Sequence, residues 1–259
     1  MRRDHRHSTS PRPLIGFLNV LVFCCCISSW PTGLPAHENV LTRIENLFEG
    51  RDHVEDLKQA ISLLENLLAR EPSSYEKLWR LAKYKYYLSD RQKDQPGKLK
   101  LLRHGVEAAK KAVSLESQRP EGHFWLAANY GGGAELEGPF KSLWLITTIR
   151  REFEWALRLD PAYENGGIYL ALGEMEIRLP RLFGGSDRRG LALLENGLKV
   201  GPTNSDLKLF LGETYARIGR KEDGKRLLES VINLADPART VMEQEELRSK
   251  ARWLLHKMR

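Results

Sequence analysis

From residue 37 to the C-terminus apolar residues recur three or four positions apart, and the sequence carries almost no sustained alternation of period two. This pattern predicts helices at about 38–48, 53–69, 74–89, 98–116, 121–130, 141–158, 162–178, 187–199, 204–218, 221–234 and 241–257. In the second of these, Leu57, Ile61, Leu64 and Leu68 share one face. Asp160-Pro161, Gly201-Pro202 and Asp236-Pro237 separate later helices, because a helix tends to end before proline and tolerates one in its first turn. The fold class that follows is all-α, built of antiparallel helix pairs.

The periodicity also repeats at longer range. Residues 207–231 place Leu211, Gly212 and Tyr215 on one helix and Gly224, Leu228 and Val231 on the next, the spacing of a tetratricopeptide-like unit of about 34 residues. Glycine at 212 and 224 lets the two helices approach closely, while Tyr215, Leu228 and Val231 fill the remaining volume. Weaker copies occur at Tyr169-Leu172-Gly173 and at Phe124-Trp125-Leu126-Ala127-Tyr130. Pro120 to Pro161 is 41 residues, Pro161 to Pro202 is 41, and Pro202 to Pro237 is 35. Against a 34-residue unit, these intervals predict insertions between about 131 and 141 and between 179 and 186.

Ahead of the helical stretch the pattern changes. Residues 1–13 carry Arg2, Arg3, Arg6 and Arg12 against Asp4, and residues 14–27 carry no charge. Fourteen residues make about 21 Å of helix, short of a hydrocarbon core of roughly 30 Å. Residues 1–28 therefore read as a secretory signal peptide, with a retained membrane anchor as the other reading. Residues 29–36 read as a linker and 37–259 as the repeat domain. Export would place the domain in the periplasm or at the cell envelope. Cys24, Cys25 and Cys26 are all the cysteines of the chain, so no disulfide framework can form around them. They are either lipidation sites or apolar filler of the leader.

Charge excludes more than it selects. The chain has 41 Lys and Arg against 34 Asp and Glu; removing residues 1–36 leaves 37 against 33, a net charge of +4 rather than +7. The basic clusters are interspersed with acidic residues, so a nucleic-acid partner is not expected. The histidines lack zinc-ligand spacing, no Gly-x-Ser-x-Gly elbow occurs, and Glu174 and Glu176 do not share a helix face. No enzyme activity and no cofactor or metal are expected.

Two segments are candidates for function. Leu179-Pro180-Arg181-Leu182-Phe183-Gly184-Gly185 interrupts the helical pattern, with Ser186 or Asp187 able to cap the next helix. It is either a structural turn or a contact surface through Pro180, Phe183, Gly184 and Gly185. The run Gly131-Gly132-Gly133 predicts a break in the helix after Tyr130, since glycine costs about 1 kcal/mol in a helix interior. A rim beside that break would include Trp125, Tyr130, Trp144 and Trp155, whose helical spacing otherwise suits core packing.

The order Asn129-Tyr130-Gly131, then Arg151-x-Phe153-x-x-Ala156-Leu157-x-Leu159-Asp160-Pro161, Leu170-Ala171-Leu172-Gly173 and the 179–185 turn resembles the TatT family over about residues 53–235. That family is the T component associated with tripartite ATP-independent periplasmic (TRAP) transporters. The resemblance implies an exported, often lipid-anchored repeat protein that assembles as a homotrimer. It also implies contact with a periplasmic substrate-binding protein and passage of a hydrophobic small molecule. The alternative from the repeats alone is a protein–protein interaction scaffold. A transport accessory needs an apolar cavity, whereas a scaffold needs a filled interior and a polar or mixed groove.

Overall fold

A computed structural model of the protein describes residues 36–258, without the side chains of 36–39 and 139–143. The leader at 1–28 with Cys24, Cys25 and Cys26, and all of the linker but residue 36, lie outside the described residues. Among these there are eleven α-helices: α1 (Ala36–Glu49), α2 (Val54–Arg70), α3 (Tyr75–Arg91), α4 (Gln95–Leu115), α5 (Pro120–Glu137), α6 (Pro139–Leu159), α7 (Gly167–Arg178), α8 (Asp187–Val200), α9 (Ser205–Arg217), α10 (Lys221–Asn233) and α11 (Val241–Lys257). Consecutive helices pack as pairs, α1 with α2 through α9 with α10, and α11 closes against both members of the last pair. Each second helix also packs on the first helix of the next pair. This is an all-α, tetratricopeptide-like array of stacked antiparallel pairs.

Polar side chains mark several helix starts. Asp94 accepts from the Gly97 amide, Asn204 from Leu207 and Ser186 from Arg189, each satisfying a donor that the first helical turn leaves free. Thr240 and Glu243 form a reciprocal capping box on α11. The face predicted for α2 is the buried one, with Leu57, Ile61 and Leu64 in the core and Leu68 packed partly against it.

Glycines set how closely the later pairs approach. A Cβ on Gly212 would lie 3.0 Å from Leu228 Cγ, and one on Gly224 would lie 2.6 Å from the Gly212 carbonyl oxygen. The α7–α8 pair repeats this contact: a Cβ on Gly173 would lie 2.7 Å from Leu194 Cγ, and one on Gly190 would lie 2.9 Å from the Gly173 oxygen. Gly212 to Gly224 is 12 residues, whereas Gly173 to Gly190 is 17. The additional residues form the turn after α7, inside the interval predicted to carry an insertion.

Two expectations need correction. The predicted break at Gly131–Gly133 is absent, because α5 continues to Glu137 and ends at Gly138, whose φ of +84° suits glycine. Gly132 lies where a Cβ would come 3.1 Å from Leu102 on α4, so the missing side chain is used for helix packing. The insertion before residue 141 is thus taken up as length in α5 and α6. The helix predicted at 162–178 starts only at Gly167, after a 3₁₀ turn with positive φ at Glu164, Asn165 and Gly166. Gly201 packs against this turn, and Asn204 Nδ2 donates to the Asn165 carbonyl at 3.0 Å.

Glycine substitutions separate close packing from helix propensity. Gly131 has open space around it, so Gly131→Ala is expected to stabilise by up to about 1 kcal/mol. Gly224→Ala is expected to destabilise by about 1–3 kcal/mol, since the backbones of α9 and α10 must separate. Urea unfolding of the two variants checks both signs.

Candidate functional site

The first helices of the pairs lie side by side, α3 against α5, α7 against α9 and α9 against α11, so that they share one side of the array, its groove side, and a buried arginine ties the turn after α1 to α11. Arg51 lies in the turn after α1 and is 3% exposed. Its Nε and Nη2 donate to Glu243 of α11 at 3.0 and 2.8 Å, and Nη2 also reaches the Ala238 carbonyl at 2.8 Å. The guanidinium stacks over Phe48 and Tyr87 at 4.6 and 5.2 Å from the ring centroids. The neighbouring Asp52 accepts from the Thr240 hydroxyl and from the Met242 amide at 3.2 Å, placing a negative charge at the start of α11. Arg91 stands 3.6 Å from Glu243, which is 10% exposed on its side chain. Charges 192 residues apart in sequence therefore meet in one desolvated network.

Beside this network is a hollow of about 250 Å³, lined by Lys83, Tyr87, Glu164, Asn204 and Arg239 among others. Lys83 pairs with Glu164 at 2.9 Å, and its ammonium lies 5.3 Å from both the Phe48 and Trp125 rings. Arg239 pairs with Asp206, although burial and then Asp236 and Glu243 leave the Asp206 carboxyl higher than usual.

Further along, the groove is acidic. Asp90 is exposed at its tip, but the protein crowded around it still withholds water and raises its carboxyl, with Glu135 and Glu246 adding repulsion against the opposing pull of Lys98 and Arg91. Burial likewise raises Glu174; Arg178 offsets this, while Asp206, Glu135 and Glu213 add to it. Asp90 of α3 is thus repelled by carboxylates of α5 and α11, and Glu174 of α7 by carboxylates of α5 and α9. Among the described residues the ion pairs here join Glu174 to Arg178 at 3.6 Å and Glu246 to Lys250 at 2.9 Å, and Asp90, Glu135 and Glu213 have none.

Sequence reasoning missed this acidic face. Its signal is the dipeptide Gly173-Glu174, repeated 39 residues later as Gly212-Glu213. The glycine turns toward the second helix of its pair, and the next residue, about 100° around the helix, turns away from it.

The predicted surface residues do not gather in one place. Trp125 is in the core, donating its Nε1 hydrogen to Tyr163 Oη at 2.9 Å. Tyr130 is half-buried under Lys110. Trp155 stacks on His123 and carries Arg158 over its ring, while Trp144 is 70% exposed on α6. Pro180, Phe183, Gly184 and Gly185 do lie together, in the turn after α7. There Gly184 has φ +86°, and a Cβ on Gly185 would come 1.8 Å from the Leu179 carbonyl oxygen.

Residues 40–171 match the family model described as regulator of microtubule dynamics protein 1-3. Similarity to regulator of microtubule dynamics protein 3 of Mus musculus runs over 213 residues at 23% identity, covering 76% of this chain and 44% of the mouse protein. The chain thus spans less than half the length of that relative. The crystal structure of a thermophilic TPR protein from Thermus thermophilus superposes with a TM-score of 0.63 at 19% identity, over 85% of this chain and 98% of that one. MamA superposes with a TM-score of 0.46 at 17% identity, over 78% and 91%. The Thermus match shows the fold, a stack of tetratricopeptide-like helix pairs. The family matched differs from TatT.

Removing Arg51 leaves Glu243 buried with weaker partners. Arg51→Ala is expected to lower unfolding free energy by about 3 kcal/mol, and Arg51→Met with Glu243→Leu to recover most of that loss. Chemical denaturation of both variants measures it. The groove carboxylates act in the opposite sense. Asp90 and Glu174 bind protons more tightly when folded, so their contribution falls as pH rises through the carboxylate range. Asp90→Asn with Glu174→Gln should be more stable than the unaltered chain at about pH 7, with the difference gone by about pH 3. Thermal unfolding at the two pH values tests the sign.

Proposed function

We propose that this chain, which belongs to the regulator of microtubule dynamics protein 1-3 family, is a scaffold that acts on microtubules by holding in its groove a lysine- or arginine-bearing segment of the microtubule protein itself. The observation behind this reading is the facing set Asp90, Glu135, Glu174, Glu213 and Glu246, three of which carry no cation of their own among the described residues. An extended cationic segment would relieve their mutual repulsion and satisfy them at one step. Its aliphatic stems could lie against Tyr86, which is packed on Tyr87 and Trp125. The microtubule part of the reading comes from the name of the mouse relative.

A second reading is the TRAP-type transport accessory, exported and lipid-anchored through Cys24, Cys25 or Cys26, trimeric, and in contact with a periplasmic substrate-binding protein. It is favoured by the likeness of the 179–185 turn to TatT. That role calls for an apolar cavity to carry a hydrophobic small molecule; the hollow beside Arg51 is lined largely by charged and polar side chains, and the more apolar pocket of about 370 Å³ at Leu68, Leu78 and Leu81 is open to solvent and edged by Glu65, Lys85 and Lys111. The scaffold reading accounts for those charges directly.

The test uses the full chain and a fluorescent peptide of alternating lysine and alanine. Binding by anisotropy is expected, and Asp90→Asn with Glu135→Gln and Glu213→Gln should weaken it about tenfold. Equal binding of a glutamate-rich control, or no change in the triple variant, would sink the groove assignment. Adding the chain to assembling tubulin should alter growth, and the triple variant should not. Unaltered growth with the wild-type chain would remove the microtubule role while leaving the groove chemistry standing.

A further inference from the structure

The turn between α7 and α8 is more firmly built than a passive connection requires. Glu176, almost fully buried, is gripped by Arg150 of α6 and by Arg189 of α8 at 2.7 Å, and its backbone oxygen accepts from the Ser186 amide at 2.8 Å. Arg189 also donates to the Gly184 carbonyl at 2.5 Å. The Pro180 oxygen accepts from the amides of Phe183 and Gly185 at 2.9 and 3.2 Å. This frame displays apolar side chains to solvent: Leu182 is 87% exposed and Phe183 36%.

Arginines surround that apolar tip. Arg181 and Arg188 are exposed and, among the described residues, have no carboxylate partner. Arg178 and Arg189 are largely exposed while paired to Glu174 and Glu176. A few apolar side chains on a narrow turn do not make the roughly 800 Å² per partner of a stable protein interface. They do suit a bilayer surface, which takes individual aromatic and aliphatic chains at the depth of its headgroups and attracts unpaired arginine to anionic lipid.

We infer that Leu182 and Phe183 enter a membrane surface while Arg181 and Arg188 bind the headgroups of anionic lipids. This inference is independent of what occupies the groove. Leu182 packs against nothing in the core, so Leu182→Trp in the full chain places a reporter at the tip without disturbing the fold.

The experiment mixes this variant with phosphatidylcholine vesicles containing phosphatidylserine and brominated acyl chains, and subtracts the signal of the unsubstituted chain. The added tryptophan is expected to emit at shorter wavelength and to be quenched. Quenching should fall in vesicles of phosphatidylcholine alone, and most of it should be lost when Arg181→Ala and Arg188→Ala are added. An emission that stays at the water-exposed wavelength without quenching would overturn the inference and leave the turn to a protein partner. Quenching indifferent to both anionic lipid and the arginines would overturn the headgroup contact.

Discussion

The groove depends on the ion pair between Arg51 and Glu243. A helical repeat array is close to one-dimensional, each pair leaning on its neighbours, so its first and last pairs need not influence one another. Here they do, because Arg51 crosses from the α1–α2 turn to meet the Glu243 carboxylate on α11 and the Ala238 carbonyl in the turn before it. Both charges are largely withdrawn from water, so each needs the other in place. Asp52 adds a second tie by accepting from the first turn of α11. The ends of the array are thereby fixed, and the width of the groove is fixed with them.

That closure brings the first helices together only because the pairs are thin where they meet. In α7–α8 and α9–α10 the thinness comes from matched glycines, Gly173 with Gly190 and Gly212 with Gly224. In α5 it is reached differently: Gly132 admits Leu102, and Asn129 is buried with its amide donating to the carbonyls of Ala82 and Trp125. A larger residue at any of these points would shift a first helix, and with it the carboxylate it presents to the groove.

Much of this was legible in the sequence. The prolines and capping residues bounded most helices, and Gly212, Gly224, Leu228 and Val231 predicted how one pair packs. What was misread has a common origin. Propensity describes an isolated helix, so it could not register that Gly132 fills a place beside Leu102. The turn with positive φ at Glu164 and Asn165 packs against Gly201 and Asn204 in the α8–α9 connection, some forty residues on, which no local pattern could announce. The site was less legible than the fold. Arg51 and Glu243 belong to segments with no shared pattern, and the acidic face is spread over five helices, each contributing a residue that alone reads as solvated surface.

The net charge of the chain therefore describes none of its surfaces well. Asp90, Glu135, Glu174, Glu213 and Glu246 make the groove acidic, while Arg178, Arg181, Arg188 and Arg189 make the α7–α8 edge basic. The separation is maintained along α7 itself: Glu174 turns into the groove, and Glu176 is buried to hold the turn. Crowding the groove carboxylates together opposes folding at neutral pH, and a cationic segment bound there would reverse that effect. Occupancy of the groove is then linked to the stability of the array, since whatever binds the native state alone stabilises it by mass action. A surface that binds the exposed tip is linked to folding in the same way, since the turn displaying Leu182 and Phe183 is held in place by the buried Glu176 of the native state. Two surfaces of opposite charge, joined through the Glu174–Arg178 pair, let a single small array hold a cationic segment on one side and rest on an anionic surface at the other.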